Sequence, residues 1–472
     1  MLHLVAIVMN KSIESKALVS GCLFWIIISC NVAKNYQPPT VTNAQLYRGT
    51  AQVDTVNFAT LNYKEVFYDT TLQGLIQTGL NNNLDLQVAY TRIQQSQAFY
   101  LQSISALIPT LNSNAGITAS KLSLAQGFGI RNTATLYVVG LSSTWEADVW
   151  GRLNSNKRAS LADLLQTEAA ARAVKTGLVA QVANLYFSLL ALDQQLAITR
   201  QTVLNWDTTV LTIKELKKAA LVTEAAVVQS QAQMYAVEVT IPDLKRSIRE
   251  TENALSILLG DDPHIINRND LDNEQVTKAM QTGIPAQLLA NRPDVQQAEL
   301  NYRANYELTN VARAFFYPSL TITGSAGLNA LRASDFFDVT SLAASIGAGL
   351  VQPIFNQRQN RTRLLAAEAA QKGALLSFQN ILLVAGQEVS DALYSYSMAS
   401  EKMSTRVNQL NALQKSVDYS QELLKYGFAN YTEVIQARQL LLAAELGKVN
   451  DRLQQLQATV SLYRALGGGW RE

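Results

Sequence analysis

The sequence predicts a mainly α-helical protomer built as a tandem repeat, with long coiled-coil helices and four β-strands. Three observations predict it: an internal similarity at a nearly constant offset, two long stretches without proline, and four short segments of alternating polarity. Five matches in the same order carry the offset. Leu84-Asp85-Leu86-Gln87 is matched by Pro293-Asp294-Val295-Gln296, Ile108-Pro109-Thr110-Leu111 by Tyr317-Pro318-Ser319-Leu320, and Val149-Trp150 by Ile354-Phe355. Val227-Val228-Gln229 is matched by Val434-Ile435-Gln436, and Leu259-Gly260 by Leu466-Gly467. Each match is weak alone, but five at spacings of 205 to 209 positions are hard to obtain by chance. The repeats are expected over 62–263 and 282–472, joined by a polar linker, 264–281, rich in Asn and Asp.

Each half reads as helix, two strands, then two helices. Proline disrupts helix interiors, and none occurs between Thr110 and Ile241 or from Ile354 to the end. In 361–424, Leu375, Phe378, Leu382, Ala385, Val389, Leu393 and Tyr396 recur at spacings of three and four, and Val407, Leu410, Leu413 and Val417 continue the seam. That is a coiled-coil-like pattern, and its ~64 residues make a rod of roughly 95 Å, too long for an ordinary core helix. In the first half a long helix is expected over 153–218, with shorter ones over 84–107 and 221–259 whose summed length matches it. The second half repeats this over 293–315 and 431–465. Pro242 lies inside one shorter helix and should kink or break it.

The strands are expected near 109–120, 135–149, 318–330 and 341–355, and show period two. Leu320, Ile322, Gly324, Ala326 and Leu328 point one way, and Ser319, Thr321, Thr323, Ser325 and Asn329 the other. Leu111, Ala115, Ile117 and Ala119 oppose Thr110, Asn112, Asn114, Thr118 and Ser120, and Val139, Leu141 and Trp145 oppose Ser142, Thr144 and Glu146. One apolar and one polar face over ten to twelve residues fit a transmembrane β part with a wet lumen. Four strands are too few to close a barrel, the smallest having about eight, and an open edge in lipid leaves backbone groups unsatisfied. Other chains must complete the wall; this physics requires an oligomer but fixes no subunit count.

Composition narrows the function. The chain has 472 residues, is 48% hydrophobic and carries a net charge of +2, which argues against a nucleic-acid surface. It has two His and two Cys, both Cys within the first 30 residues, so the remainder holds no disulfide framework and no Cys₄ zinc site. After residue 30 no run of 18 apolar residues occurs, which argues against a helical membrane span. Gly467-Gly468-Gly469 follows a helix and reads as a C-terminal stop rather than a phosphate loop. Asp261-Asp262 reads as a helix-terminating loop, His264 stands alone in the linker, and no enzyme chemistry or cofactor is expected. Glu146 and Asp148 read as lumen or rim acids, and Trp145 and Trp150 as interface anchors. Residues 1–29 read as a secretion signal, with Lys11 and Lys16 before the apolar Leu23–Ile28, and Met9 is an alternative start. An extended segment, 30–61, is expected to follow.

Several motifs together resemble the outer-membrane factor family of efflux channels, of the TolC/OprM type and its lipoprotein branch. They are Gly283-Ile284-Pro285-Ala286-Gln287-Leu288-Leu289, Asn291-Arg292-Pro293-Asp294-Val295-Gln296-Gln297-Ala298-Glu299, Phe316-Tyr317-Pro318-Ser319-Leu320 and Gln352-Pro353-Ile354-Phe355. Tyr463-Arg464-Ala465-Leu466-Gly467-Gly468-Gly469-Trp470 at the end, and Cys30 shortly before Tyr36-Gln37-Pro38-Pro39, are also similar to the family. Ile27-Ile28-Ser29-Cys30 resembles a bacterial lipobox, with Val19-Ser20-Gly21-Cys22 a poorer match. This implies lipid attachment at Cys30, and Asn31 then implies sorting to the outer membrane.

The resemblance implies a homotrimer with a twelve-stranded β-barrel among outer-membrane lipids and an α-helical tunnel through the periplasm. It implies a periplasmic adaptor docked at the tunnel tip and an inner-membrane pump of the RND type. The tip turns fall near Ala219–Glu224 and Tyr426–Glu433, with docking residues Ala220, Leu221, Val222, Gly427, Phe428 and Ala429. Glu433 falls where the family often places an acidic or polar aperture residue, whereas Gln436 stands where many members have Asp. Three carboxylates around a narrow bore would favour cations, and Tyr426 and Tyr431 are candidates for bonds that hold the tip shut. Two other readings are an exit duct for secreted protein or metal ions, and a non-pore periplasmic scaffold or adaptor.

Overall fold

The computed structural model describes residues 32–39, 58–121, 133–275 and 290–471. The expected signal, Cys30 and the Gly283–Leu289 motif lie outside the described residues. The elements are α1 (Tyr63–Val66), α2 (Thr70–Asn82), α3 (Leu84–Ser105), β1 (Thr110–Lys121), β2 (Thr133–Ala147), α4 (Arg152–Lys218), α5 (Glu224–Glu238) and α6 (Thr240–Leu259). They continue with α7 (Pro293–Ala314), β3 (Ser319–Ala330), β4 (Leu342–Val351), α8 (Gln359–Lys425) and α9 (Tyr431–Ala465). α4 and α8 occupy the same place in each half and are each 67 residues long.

The chain divides into two compact units, one of Met1–Pro39, Ile93–Gln166 and Ala298–Phe378, the other of Thr40–Arg92, Thr167–Gln297 and Gln379–Glu472. The first unit holds an antiparallel sheet in the order β1-β2-β3-β4. Directly opposed residues share a face, so the register sorts the side chains. Ala115 opposes Val139 and Ser113 opposes Leu141; Val139 opposes Leu328 and Trp145 opposes Ile322. Leu320 opposes Leu350 and Gly324 opposes Ile346. One face is therefore almost wholly apolar across all four strands, from Leu111 and Ile117 to Leu342, Ile346 and Leu350. Among the described residues nothing covers it: Leu111 is 71% exposed and Ile346 86%. The other face carries Thr110, Asn112, Asn114, Ser142, Thr144, Thr321, Thr323 and a Ser325–Ser345 hydroxyl bond of 2.8 Å. Gly140 and Gly327 oppose one another, and a Cβ on Gly327 would come within 2.4 Å of the Val139 carbonyl oxygen. Both β1 and β4 are exposed along their length and are paired on one side only.

The tryptophans fasten the foot of the sheet. Trp145 Nε1 donates to the Leu107 carbonyl at 2.9 Å and Trp150 Nε1 to Pro318 at 2.7 Å, while Trp150 stacks on Tyr317 at 4.8 Å. Asp148 accepts from the Leu153 and Asn154 amides, both at 2.8 Å, and so satisfies donors at the start of α4. Glu146 pairs with Arg152 through two bonds, of 3.0 and 2.6 Å. The two acids thus have local structural partners. Val32–Pro39 lies along α7: Lys34 N donates to Asn310 Oδ1 at 3.1 Å, Asn310 Nδ2 to the Lys34 carbonyl at 2.9 Å, and the Tyr36 ring meets Tyr306 edge-on at 5.5 Å.

The second unit is a helical body. Its core includes Leu72 and Ile76 of α2, Tyr186, Leu189 and Leu190 of α4, Leu255 of α6 and Tyr463 of α9. α2, a helix absent from the expectations for this half, packs on α6. An 18-residue window of α4 reaches mean hydropathy 1.2, but 56% of it is buried within the chain, as a core helix requires. The helix expected over 221–259 is two, because α5 ends and α6 begins at Val239–Thr240. Pro242 has no N–H and its ring crowds the carbonyl four residues back; the break leaves it in the first turn of α6, where a missing donor costs nothing.

The repeat is visible in the helix ends. Gly260, with φ +74, closes α6: its N–H bonds the Ile257 carbonyl, and the Asp261 N–H bonds Ser256. Gly467, with φ +90, repeats this after α9 through Arg464 and Tyr463. Both are the left-handed closure that glycine favours. A Cβ on Gly260 would lie 2.4 Å from the Asn82 carbonyl oxygen, and one on Gly467 2.4 Å from that of Asn291, the equivalent position. Next to Asn291, buried Arg292 bonds Asp294 at 3.0 and 2.6 Å, Glu388 at 2.8 Å and the Ala465 carbonyl at 2.9 Å. The Asn-Arg-Pro-Asp motif therefore ties the start of α7 to α8 and to the end of α9.

Candidate functional site

The two turns that join α4 to α5 and α8 to α9 both lie in the helical body and share one backbone solution. In the first, the Ala220 N–H bonds the Lys217 carbonyl at 2.9 Å and the Leu221 N–H bonds Leu216 at 3.0 Å. In the second, Gly427 N–H bonds Leu424 at 3.1 Å and Phe428 N–H bonds Leu423 at 2.9 Å. The residue that must turn left-handed is Ala220 (φ +61) in one and Gly427 (φ +75) in the other. Ala220 is a non-glycine residue in a region that disfavours a Cβ.

Past each turn the sequence restarts a helix. Thr223 precedes α5, and Asn430 caps α9 by accepting from the Thr432 amide at 3.2 Å. Ile213, Ala226 and Val227 form a small buried cluster, against which Val222 and Tyr431 pack. The structure thus brings together one residue from each turn region. Tyr431 donates to Gln229 Oε1 at 3.2 Å, and one step further on Gln439 Nε2 donates to Gln233 Oε1 at 2.5 Å. These bonds join α5 to α9 within one chain.

The remaining candidates face outward. Leu221, Tyr426 and Phe428 are exposed, Phe428 by 82%, and Ala429 is partly covered. Glu433 and Gln436 sit three residues apart on α9, hence on one helix face, and both are exposed. Val434, Ile435 and Ala437 on the other side are buried. Glu433 lies in the first turn of α9, where the helix end favours negative charge. Sequence reasoning missed Arg438. Its guanidinium lies over the buried Trp206 ring of α4, 6.0 Å from its centroid, and with the Gln421 amide turned to accept, Arg438 Nε reaches Gln421 at 3.0 Å. An Arg in this polar, Gln-rich helix carries no pattern that marks it as internal.

The chain is similar to known proteins along nearly its whole length. The model of the family described as outer membrane efflux protein matches residues 75–261 and 284–468. The chain belongs to the outer membrane efflux protein family. It is 30% identical to outer membrane protein OprJ of Pseudomonas aeruginosa over 456 residues, 94% of each chain. It is 26% identical to the cation efflux system protein CusC of Escherichia coli, covering 96% of this chain and 99% of that one. It is 25% identical to the probable outer membrane lipoprotein SilC of Salmonella typhimurium, covering 98% of both. Among solved structures, the outer-membrane channel OprN superposes with a TM-score of 0.88 at 26% identity, over 93% of this chain and all of that one. As an outer membrane efflux protein, the chain belongs with channel proteins rather than enzymes. It is the outer-membrane exit component of an efflux system.

Proposed function

We propose that three copies of this chain close a twelve-stranded barrel and a periplasmic helical tunnel, through which small molecules pass passively to the outside. The observation that carries this reading is the sheet, with one continuous apolar face exposed and both edges unpaired. Such a face in water would be a large aggregation surface, and such edges in lipid would strand backbone donors and acceptors. Lipid covers the apolar face, strands from further copies pair the edges, and three copies give twelve strands. The Val32–Pro39 strap on α7 supports lipid attachment at Cys30, since it holds the chain that follows against the unit bearing the sheet.

Ala220, Leu221, Val222, Gly427, Phe428 and Ala429 present the tip turns to a periplasmic adaptor, which links the duct to an inner-membrane pump of the RND type. Glu433, with Gln436 beside it, rings the aperture, and Tyr431 holds its helix to α5. CusC is named for cation efflux, so a metal cargo is a second reading; the pump and adaptor choose the cargo in either case.

The test is cross-linking of purified protein followed by conductance in planar bilayers. A three-chain product that conducts is expected, with Glu433→Ala lowering cation preference. A monomer without conductance ends the duct reading, and unchanged selectivity in Glu433→Ala removes the aperture role.

A further inference from the structure

A cluster of acids sits where the first repeat hands over to the linker, in a place unconnected with the sheet or the tip. Asp69 caps α2, accepting from the Thr71 amide at 2.7 Å and from Asn269 Nδ2 at 2.9 Å, both on Oδ1. Its other oxygen accepts from the Tyr186 hydroxyl, which in turn accepts from the Asn269 amide at 3.2 Å. Against the same carboxylate lies Glu274, 5% exposed, its carboxyl hydrogen-bonded to Asp69. Asn269 and Glu274 both belong to the stretch that follows α6, so Asp69 and Tyr186 grip that stretch at two points.

Two carboxyl groups in contact and out of water cannot both ionise cheaply. The surroundings decide which keeps the proton. Burial raises the Asp69 carboxyl, but the hydrogen bonds of Tyr186, Glu274 and the Thr71 and Leu72 amides outweigh it and hold Asp69 below the usual carboxylate range. Burial first, then the hydrogen bond and charge of Asp69, push Glu274 up to about 8. From α9 comes Arg452, but its guanidinium donates to the Glu274 backbone carbonyl and, at 2.6 Å, to Gln455 Oε1. Upstream, the same stretch is held differently. Arg268 sits between Asp193 and Glu252, bonding the latter at 2.5 Å, and Gln194 bonds Asp272 at 3.0 Å.

We propose that Glu274 and Asp69 form a pH-sensitive clasp: protonated Glu274 latches the end of the first repeat's exit segment onto the helical body, and alkali releases it. The sign follows from the two directions. The Glu274 contribution is full only below the ordinary carboxylate range, declines as pH climbs above it, and is gone once pH passes about 8. The Asp69 contribution requires its charge and is lost only in acid. The clasp is therefore closed at neutral pH and opens on the alkaline side, at its Glu274 end. The Arg268 end keeps its ion pairs.

Hydrogen exchange of the whole protein tests this, comparing residues 269–275 between about pH 7 and about pH 9.5, a range that brackets the raised carboxyl. Rates are corrected for the base-catalysed intrinsic rate. The wild type is expected to lose protection there by roughly tenfold or more, while α4 around Tyr186 keeps its own. Glu274→Gln, which retains a neutral donor, is expected to stay protected throughout, and Asp69→Asn to shift the transition toward acid. Constant wild-type protection over this range, or a Glu274→Gln variant that loses it as the wild type does, overturns the clasp. Conductance does not enter this readout, so the duct and the clasp stand or fall separately.

Discussion

The two repeats reach the same backbone at two pairs of helix ends and treat them differently. After α6 and α9 the closing residue is glycine in both, at Gly260 and Gly467, and each presses on an Asn carbonyl. At the turns after α4 and α8 it is Ala220 in one and Gly427 in the other, with nothing within 4 Å of a Cβ on Gly427. A left-handed residue can be alanine where only the torsion is demanding, since that costs about 1–2 kcal/mol. It must be glycine where the torsion is demanding and a neighbouring backbone fills the space.

This comparison can be broken by substitution. The largest effect is expected for Gly260→Val and Gly467→Val. Each combines strained torsion with a 2.4 Å approach to a carbonyl oxygen, and each is expected to cost upwards of about 3 kcal/mol, read as loss of folded protein in denaturant titration. A large cost at only one of them would mean that the repeats do not share their closure.

Next come the sheet halves. Ile117→Lys on β1 and Ile346→Lys on β4 place charge on the apolar face and are expected to cost about 2–4 kcal/mol in folding into lipid vesicles. Ser345→Lys, one step along on the polar face, is expected to change little. Equal costs on both faces would remove the assignment of lipid to the apolar one.

Smallest is the exchange at the turns. Ala220→Gly is expected to stabilise by up to about 1 kcal/mol, and Gly427→Ala to destabilise by about the same. The thermal midpoint of the purified protein measures both, and shifts of the same sign would show that context, not torsion, governs these turns.

Much of the fold was legible because it is written in local periodicity. The 3–4 spacing from Leu375 to Val417 lies in α8. Alternation through Leu320, Ile322 and Ala326 was enough to separate two faces, because a strand's side chains have period two. The short α2 was passed over, since Thr70–Asn82 contains two glycines and few apolar positions. Pro242 signalled a break but not its place at Val239. At the two helix turns, Gly427 marks one closure, and Glu433 and Gln436 follow from the resemblance. The internal position of Arg438 against Trp206 has no local signature.

The sequence by itself therefore determined what depends on neighbours along the chain: helix length from absent proline and steady spacing, sheet faces from alternation, and helix stops from glycine. Tertiary structure alone decided what depends on residues brought from far apart. Asp69, Tyr186 and Glu274 meet across more than two hundred positions, and Arg292 joins Asp294 to Glu388 and Ala465. In the sequence, each of these residues carries no sign of its distant partner. Only burial turns it into a partner, because removing water makes an unpaired charge too costly to leave alone.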